Sequence, residues 1–175
     1  MEQLAGLDPL TQLSNRRSFD VRLHAERERC IRDQTCLTVL IIDVDDFKSY
    51  NDRFGHPTGD ALLKAVSNAL RKAAHRATDL APRFGGEEFA IVLPNTDSAA
   101  AYLVAEHLRE TIGAMRISDD NGELPQITIS IGVATSWPLP NGDPNQLMHG
   151  ADHALYMAKN SGRNKIWVWI EESEP

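Results

Sequence analysis

Apolar positions along this chain recur with two periods, and the periods lay out its elements. Over 15–32, Phe19, Val21 and Leu23 stand in a dense run of charges, which reads as an amphipathic helix. The run LTVLII at 37–42 is unbroken, apolar and rich in β-branched residues, so it predicts a strand buried on both faces. Over 58–74 the stripe Leu62, Val66, Ala69, Leu70 and Ala73 predicts a helix. Two apolar stretches, 80–84 and 89–93, flank Gly85-Gly86-Glu87-Glu88 and predict a β-hairpin, since a tight primed turn needs positive φ at its central residues. Asp97 or Ser98 can cap a helix running to 114 with Leu103, Val104, Leu108 and Ile112 inward. Asn121-Gly122 marks a turn, and Ile127, Ile129, Ile131 and Val133 alternate in a strand over 126–134. Residues 147–160 form the last helix, with Leu147, Ala151, Ala154, Leu155 and Ala158 inward, and 165–170 a closing strand. The leucines at 4, 7, 10 and 13 are three apart, but Gly6 and Pro9 interrupt any long helix there. Residues 1–14 thus read as a linker or turn segment ahead of one domain over 15–175.

The order helix, strand, helix, hairpin, helix, strand, helix, strand fits an α+β fold: one five-stranded, mainly antiparallel sheet surrounded by helices. At 175 residues the chain holds one full core. A hydrophobic share of 42% and a charged share of 25% are those of a soluble globular protein. The net charge of −7 and pI near 5.3 argue against nucleic-acid or anionic-membrane partners. Cys30 and Cys36 are too few for a disulfide framework or zinc site, which points to reduced thiols and a cytoplasmic protein. No apolar run approaches transmembrane length. Trp137, Trp167 and Trp169 read as packing residues, Met148 and Met157 as core.

Several segments carry chemistry. The glycine turn leaves room for a polyanion, and Glu87 and Glu88 at its mouth suit a divalent cation carrying phosphates; an ordinary solvated hairpin tip is equally consistent with this segment alone. The buried strand ends in Asp43, followed by Asp45 and Asp46 in IIDVDDFK. Three acids in four residues repel unless they face different ways or share a cation. Asp43 with Glu87 or Glu88 would meet magnesium's need if the hairpin lies beside the first strand; a solvated acidic turn is the other reading. The loop around Gly55, Pro57 and Gly59 leaves Asn51, His56 and Asp60 free to point at one space. Asp60 can accept from both N–H groups on one edge of guanine, or cap the following helix. Lys159 and Arg163, four apart, either complement a helix C-terminus or clamp phosphates, in a chain with no GxxxxGK[ST] loop. Arg76 and Asp79 read locally as a surface ion pair.

Taken in order, LTQLSNRR (10–17), IIDVDDFKSYNDRFGHPTGD (41–60), RATDLAPRFGGEEF (76–89), ITISIGVA (127–134) and ADHALYMAKNSGRN (151–164) resemble the GGDEF family of diguanylate cyclases. Gln12 departs from the family's usual glycine, and Glu87 replaces the aspartate of the family name. The resemblance implies a nucleotidyl cyclase or ferredoxin-like palm core. It implies condensation of two GTP into cyclic di-GMP and two pyrophosphates, by attack of each 3′-hydroxyl on the other nucleotide's α-phosphate across a homodimer. Asp43, the Val44 carbonyl and Glu87 would hold two magnesium ions, with manganese an alternative and Glu88 adding charge or a further ligand. Asn51 and Asp60 would read guanine, and His56 would shape the pocket. Phe47, Lys48, Lys159 and Arg163 would approach the phosphates, and Glu87 is the candidate base. Arg76 and Asp79 match the RxxD site at which product inhibits. The segment ahead of the first motif is too short for a coiled coil, so an upstream sensory domain or a regulator in trans is implied. A catalytically weak module of the same fold, binding cyclic di-GMP or GTP, is the competing reading.

Overall fold

A computed structural model describes residues 6–170. Its central strand is β1 (Leu37–Val44), buried at all eight positions, as an unbroken apolar run requires. β1 pairs antiparallel with β3 (Glu88–Pro94) on one side and with β6 (Ile129–Ser136) on the other. β2 (Arg83–Gly85) closes the hairpin with β3, and β7 (Ile166–Trp169) lies parallel to β6. The sheet order is β2-β3-β1-β6-β7, so three of four pairings are antiparallel and the expected five-stranded sheet is present, in mixed form. A two-stranded ribbon, β4 (Ser118–Asp119) and β5 (Gly122–Glu123), surrounds the expected Asn-Gly turn.

Alternation along β1 divides the core. Leu40, Ile42 and Val44 pack with α3 (His56–Ala73) and α4 (Ser98–Gly113); Leu37, Val39 and Ile41 pack with α1 (Arg16–Asp33) and α5 (Gln146–Asn160). Asp43 continues the second series and is thereby aimed at the α5 face. Gly132 of β6 lets α5 come close, since a Cβ there would stand 2.2 Å from the Ala151 carbonyl oxygen. Cys30 and Cys36 are both buried and free.

The structure corrects several expectations. Residues expected as loop before 58 form a short helix, α2 (Phe47–Phe54), broken from α3 at Gly55, whose φ is +87°. Eight residues are too few for a clear period, though Phe47, Tyr50 and Phe54 follow one. In α4 the inward stripe is Ala101, Ala105, Leu108 and Ile112, and Leu103 is 69% exposed. Small alanines let this helix lie close to the sheet. Val21 on α1 is likewise exposed; Phe19 and Cys30 face inward. β6 starts at Ile129 instead of 126 and is buried on both faces. Trp137 is 60% exposed and Trp167 is exposed as well, so neither is a packing residue, whereas Trp169 lies against Gly150. Met148 and Met157 are half-buried at the core's margin. Leu4 lies outside the described residues. Gln12, at the family's glycine position, has φ +58°.

Gly132→Ala is expected to destabilise the domain by about 1–3 kcal/mol through overpacking against α5. Gly113→Ala, in a helix end where a Cβ meets nothing within 4 Å, is expected to stabilise it by about 0.5–1 kcal/mol. Denaturant midpoints measure both, and equal effects from the two would contradict the close α5 approach.

Candidate functional site

The register of β1 against β3 sets Asp43 directly across from Glu88. Opposed residues on antiparallel strands share a face, so both carboxylates lie on the α5 side of the sheet's end. The hairpin is held there by its main chain: the Val44 N–H donates to the Glu87 carbonyl at 3.2 Å. Gly85 pairs with Glu88, making Gly86-Glu87 the two-residue link, and positive φ falls at Gly85 (+133°) and Gly86 (+52°). Neither glycine would place a Cβ within 4 Å of anything, so their role is conformation and an open approach. Arg83 braces the turn from below. It donates to the Gly86 carbonyl at 2.7 and 3.0 Å and to both oxygens of Asp8 at 2.9 and 3.1 Å. Burial alone would raise the Asp8 carboxyl, but bonds from Thr11 and Arg83 hold it below its ordinary value. This brace is absent from the expected site, although Arg83 sits within the glycine motif.

Asp43 is 5% exposed, and Lys159 at the end of α5 reaches it at 3.3 Å. Burial raises its pKa from 3.8 to about 6; Lys159 pulls it down, while Glu87 and Glu88 push it further up. The three acids after β1 indeed face different ways. Asp43 turns to Lys159, Asp45 is buried against β6, and Asp46, in the left-handed region at φ +53°, meets Arg163 at 3.5 Å. The turn delivers the chain into α2, at whose N-terminus Asp46 makes no side-chain cap. Phe47 is buried in the core, so only its main chain can face a ligand there, while Lys48 is exposed.

Asn51 lies on the neighbouring helix pair. Its Oδ1 is buried without a hydrogen-bond partner and overlies Gly59, where a Cβ would stand only 1.7 Å away. Gly59 therefore makes room for the carboxamide, and exposed Asp60 follows it in the chain. Asp60 is the fifth residue of α3, so the alternative reading as its N-cap does not hold; Gly55 occupies that position. His56 is the helix's first residue and is exposed.

The structure thus brings together Asp43, Glu88 and Lys159, and separately Asn51 with Gly59 and Asp60 in the first turns of α3. It sets Arg76 and Asp79 apart from both. Arg76 donates to both Asp79 oxygens at 3.0 and 3.2 Å, to the Thr96 hydroxyl at 2.6 Å and to the Pro94 carbonyl at 3.4 Å. Pro94 pairs with Leu37 at the start of β1, six residues from Asp43, or ~20 Å at 3.3 Å per residue. The pair is more than a solvated contact, since the Asp79 side chain is almost wholly buried. Among the described residues no cluster of three or more metal-ligating side chains is preassembled, and no helix is long and apolar enough to cross a membrane.

The raised Asp43 carboxyl makes a pH prediction. Because the folded value of about 6 exceeds the unfolded 3.8, its contribution to stability is fully present below 3.8 and is lost as pH rises through about 6. Asp43→Asn, which removes the charge and keeps the shape, is expected to raise Tm at neutral pH and flatten the profile between those limits. Thermal unfolding across pH checks this; a variant no more stable than the parent at neutral pH would refute it.

The family described as "Diguanylate cyclase, GGDEF domain" matches residues 5–165. The probable diguanylate cyclase DgcT of Escherichia coli K12 is 42% identical over 171 residues, covering 95% of this chain and 36% of that protein. This chain accordingly spans about a third of the length of the curated relatives it matches. The GGDEF domain of DgcB from Caulobacter crescentus, solved in complex with c-di-GMP, superposes with a TM-score of 0.89 at 32% identity, covering 97% and 94% of the two chains. The active GGEEF domain of a diguanylate cyclase from Vibrio cholerae gives a TM-score of 0.83 at 31% identity, covering 92% and 100%. With Asp43 set across from the Gly-Gly-Glu-Glu turn on this sheet, and a match over nearly its whole length, the chain belongs to the GGDEF domain family.

Proposed function

We propose that this domain is the catalytic unit of a diguanylate cyclase, joining two GTP molecules into cyclic di-GMP with release of two pyrophosphates. The observation that carries the reading is the cross-strand placement of Asp43 and Glu88 beside the glycine turn, with Lys159 at 3.3 Å. The donor set fits magnesium. This ion takes one or two carboxylates and completes its shell with water and substrate phosphates, so Asp43, Glu87 and the Val44 carbonyl suffice without a preformed cage. Glu88 adds negative charge at the same rim. When bound, the metal stabilises charge developing on the α-phosphate and makes the attacking hydroxyl more acidic. Manganese has the same ligand preference.

The chain's own groups do the rest. Lys159 and Arg163 move from their carboxylate partners to phosphate oxygens, and Lys48 and the uncapped start of α2 face the same anion. The unpartnered Asn51 Oδ1 is an acceptor awaiting a donor, and Asp60 beside it is another. Guanine offers two N–H donors on one edge, whereas adenine presents an acceptor there. His56 bounds the pocket. Glu87 takes the 3′-hydroxyl proton; the 3′-oxygen bonds to the α-phosphorus of the facing nucleotide as the bond to pyrophosphate breaks. Each domain binds one GTP, so two must meet face to face. Arg76 and Asp79, ~20 Å away along β1, supply a distinct site at which product restrains the enzyme.

Incubation with GTP and magnesium followed by product chromatography tests the reading. Cyclic di-GMP should appear, with activity per molecule falling on dilution and Asp43→Asn or Glu87→Ala cutting it at least about a hundredfold. Arg76→Ala should leave the initial rate unchanged and abolish slowing by product, and Asp60→Ser should relax preference for GTP over ATP. No product at any enzyme concentration would leave only a nucleotide-binding module.

A further inference from the structure

The acid turn contains one carboxylate that the proposed chemistry does not use. Asp45 is 7% exposed, and its partners come from two separate parts of the chain. The Ser130 hydroxyl donates to Oδ1 at 2.7 Å, and the Thr128 hydroxyl donates to Oδ2 at 2.6 Å. The main-chain N–H of Asn164 donates to the same Oδ2 at 3.0 Å. The Asp45 main-chain N–H donates to the Thr128 carbonyl at 2.9 Å, so its main chain and side chain are both locked onto the start of β6. With donors on both oxygens and almost no exposure, Asp45 has no free face to offer a metal.

The third donor gives this arrangement a consequence. Asn164 directly follows Arg163, in a loop where Gly162, Arg163 and Asn164 have φ of +118°, +59° and +47°. Left-handed backbone costs an ordinary residue such as Arg163 about 1–2 kcal/mol and an asparagine less, so a run of three positive-φ residues gains from outside support. That support comes from Asp45 at the Asn164 N–H and from Arg109, which donates to the Asn164 side-chain oxygen at 2.9 Å. The buried carboxylate therefore fixes the direction in which the Arg163 side chain leaves the loop, toward Asp46 and the mouth of the site.

We propose that Asp45 is a positioning residue for Arg163, and through it for the polyphosphate of the nucleotide, and is not a metal ligand. This assignment rests on the cyclase reading for the identity of the nucleotide. In Asp45→Asn the amide N–H₂ can turn to the Ser130 hydroxyl, which can accept, but the charge that strengthens the Asn164 N–H bond is lost, which loosens the loop while nearly preserving volume. Binding of 3′-deoxy-GTP, which cannot cyclise, should weaken about tenfold, the worth of one charge-assisted bond. In an Arg163→Ala background the same change should add less than about twofold, because the two residues act in series. The magnesium concentration at half-maximal binding should stay where it is in the parent.

Losses that multiply in the double variant, or a shifted magnesium midpoint, would overturn the assignment. If Asp45→Asn does not fold, Thr128→Val removes one donor at Oδ2 and serves in the same cycle, with an expected loss of about two- to threefold that again vanishes without Arg163. The two readings fail separately. A parent chain that binds 3′-deoxy-GTP with the expected coupling but makes no cyclic dinucleotide defeats only the cyclase reading. Product formation without coupling defeats only the role of Asp45.

Discussion

Everything at the working end of this domain depends on how like charges are kept apart where β1 leaves the sheet. Two unit charges 4 Å apart interact by about 4 kcal/mol at the effective dielectric of a protein margin. Three unsatisfied acids in four residues would therefore undo the strand end that carries them. Strand alternation aims Asp43 at α5, the left-handed turn at Asp46 swings that residue outward, and Asp45 is absorbed into β6. Each solution recruits a different element. Those recruitments set the end of α5, the 162–164 loop and the start of α2 around one opening.

The same constraint explains the hairpin. A turn that brings Glu87 and Glu88 beside a buried aspartate works against electrostatics, and it needs support that is not itself charged toward the site. The Val44 N–H and the Arg83 brace supply it, the latter anchored on Asp8 well below the turn. Residues 6–14 are consequently part of the site's foundation. Their isolated bridges, Leu7 to Ser14 and Ser14 to Pro82, tie that segment to the strand preceding the glycines.

Much of this was legible in the sequence, and the reasons differ by residue. β1 and α3 were readable because a continuous apolar run and a five-residue stripe admit few alternatives. The acidic end of β1 and the hairpin beside it were readable because glycine pairs and carboxylates at strand ends have few structural uses. α2 was hidden by its length, and the α4 stripe was misassigned because alanine carries little hydrophobic signal against a neighbouring leucine. Partners distant in sequence were out of reach. Nothing local shows that Arg83 reaches Asp8, that Thr96 receives Arg76, or that Asp45 receives Thr128, Ser130 and Asn164. The positive φ at Gln12 had an indirect sign, since the family's usual residue there is glycine.

At the proposed site two of the four carboxylates already carry a cation, and this bears on how a chain of net charge −7 could bind a triphosphate at all. Lys159 sits on Asp43 at 3.3 Å and Arg163 on Asp46 at 3.5 Å. The second pair is largely solvated and contributes little by itself. In the proposed reaction a nucleotide arriving with magnesium would exchange partners: Asp43 would pass to the metal, and Lys159 and Arg163 to phosphate oxygens. Asp43, the buried member, would not be left uncompensated, which is the expensive outcome for a removed partner, whereas solvated Asp46 can lose its cation at little cost. Asp43 gains most. Burial disfavours its charged form, and a divalent cation reverses that preference. On the proposed reading the end of β1 would gain stability from its ligand, so that nucleotide binding and local order rise together.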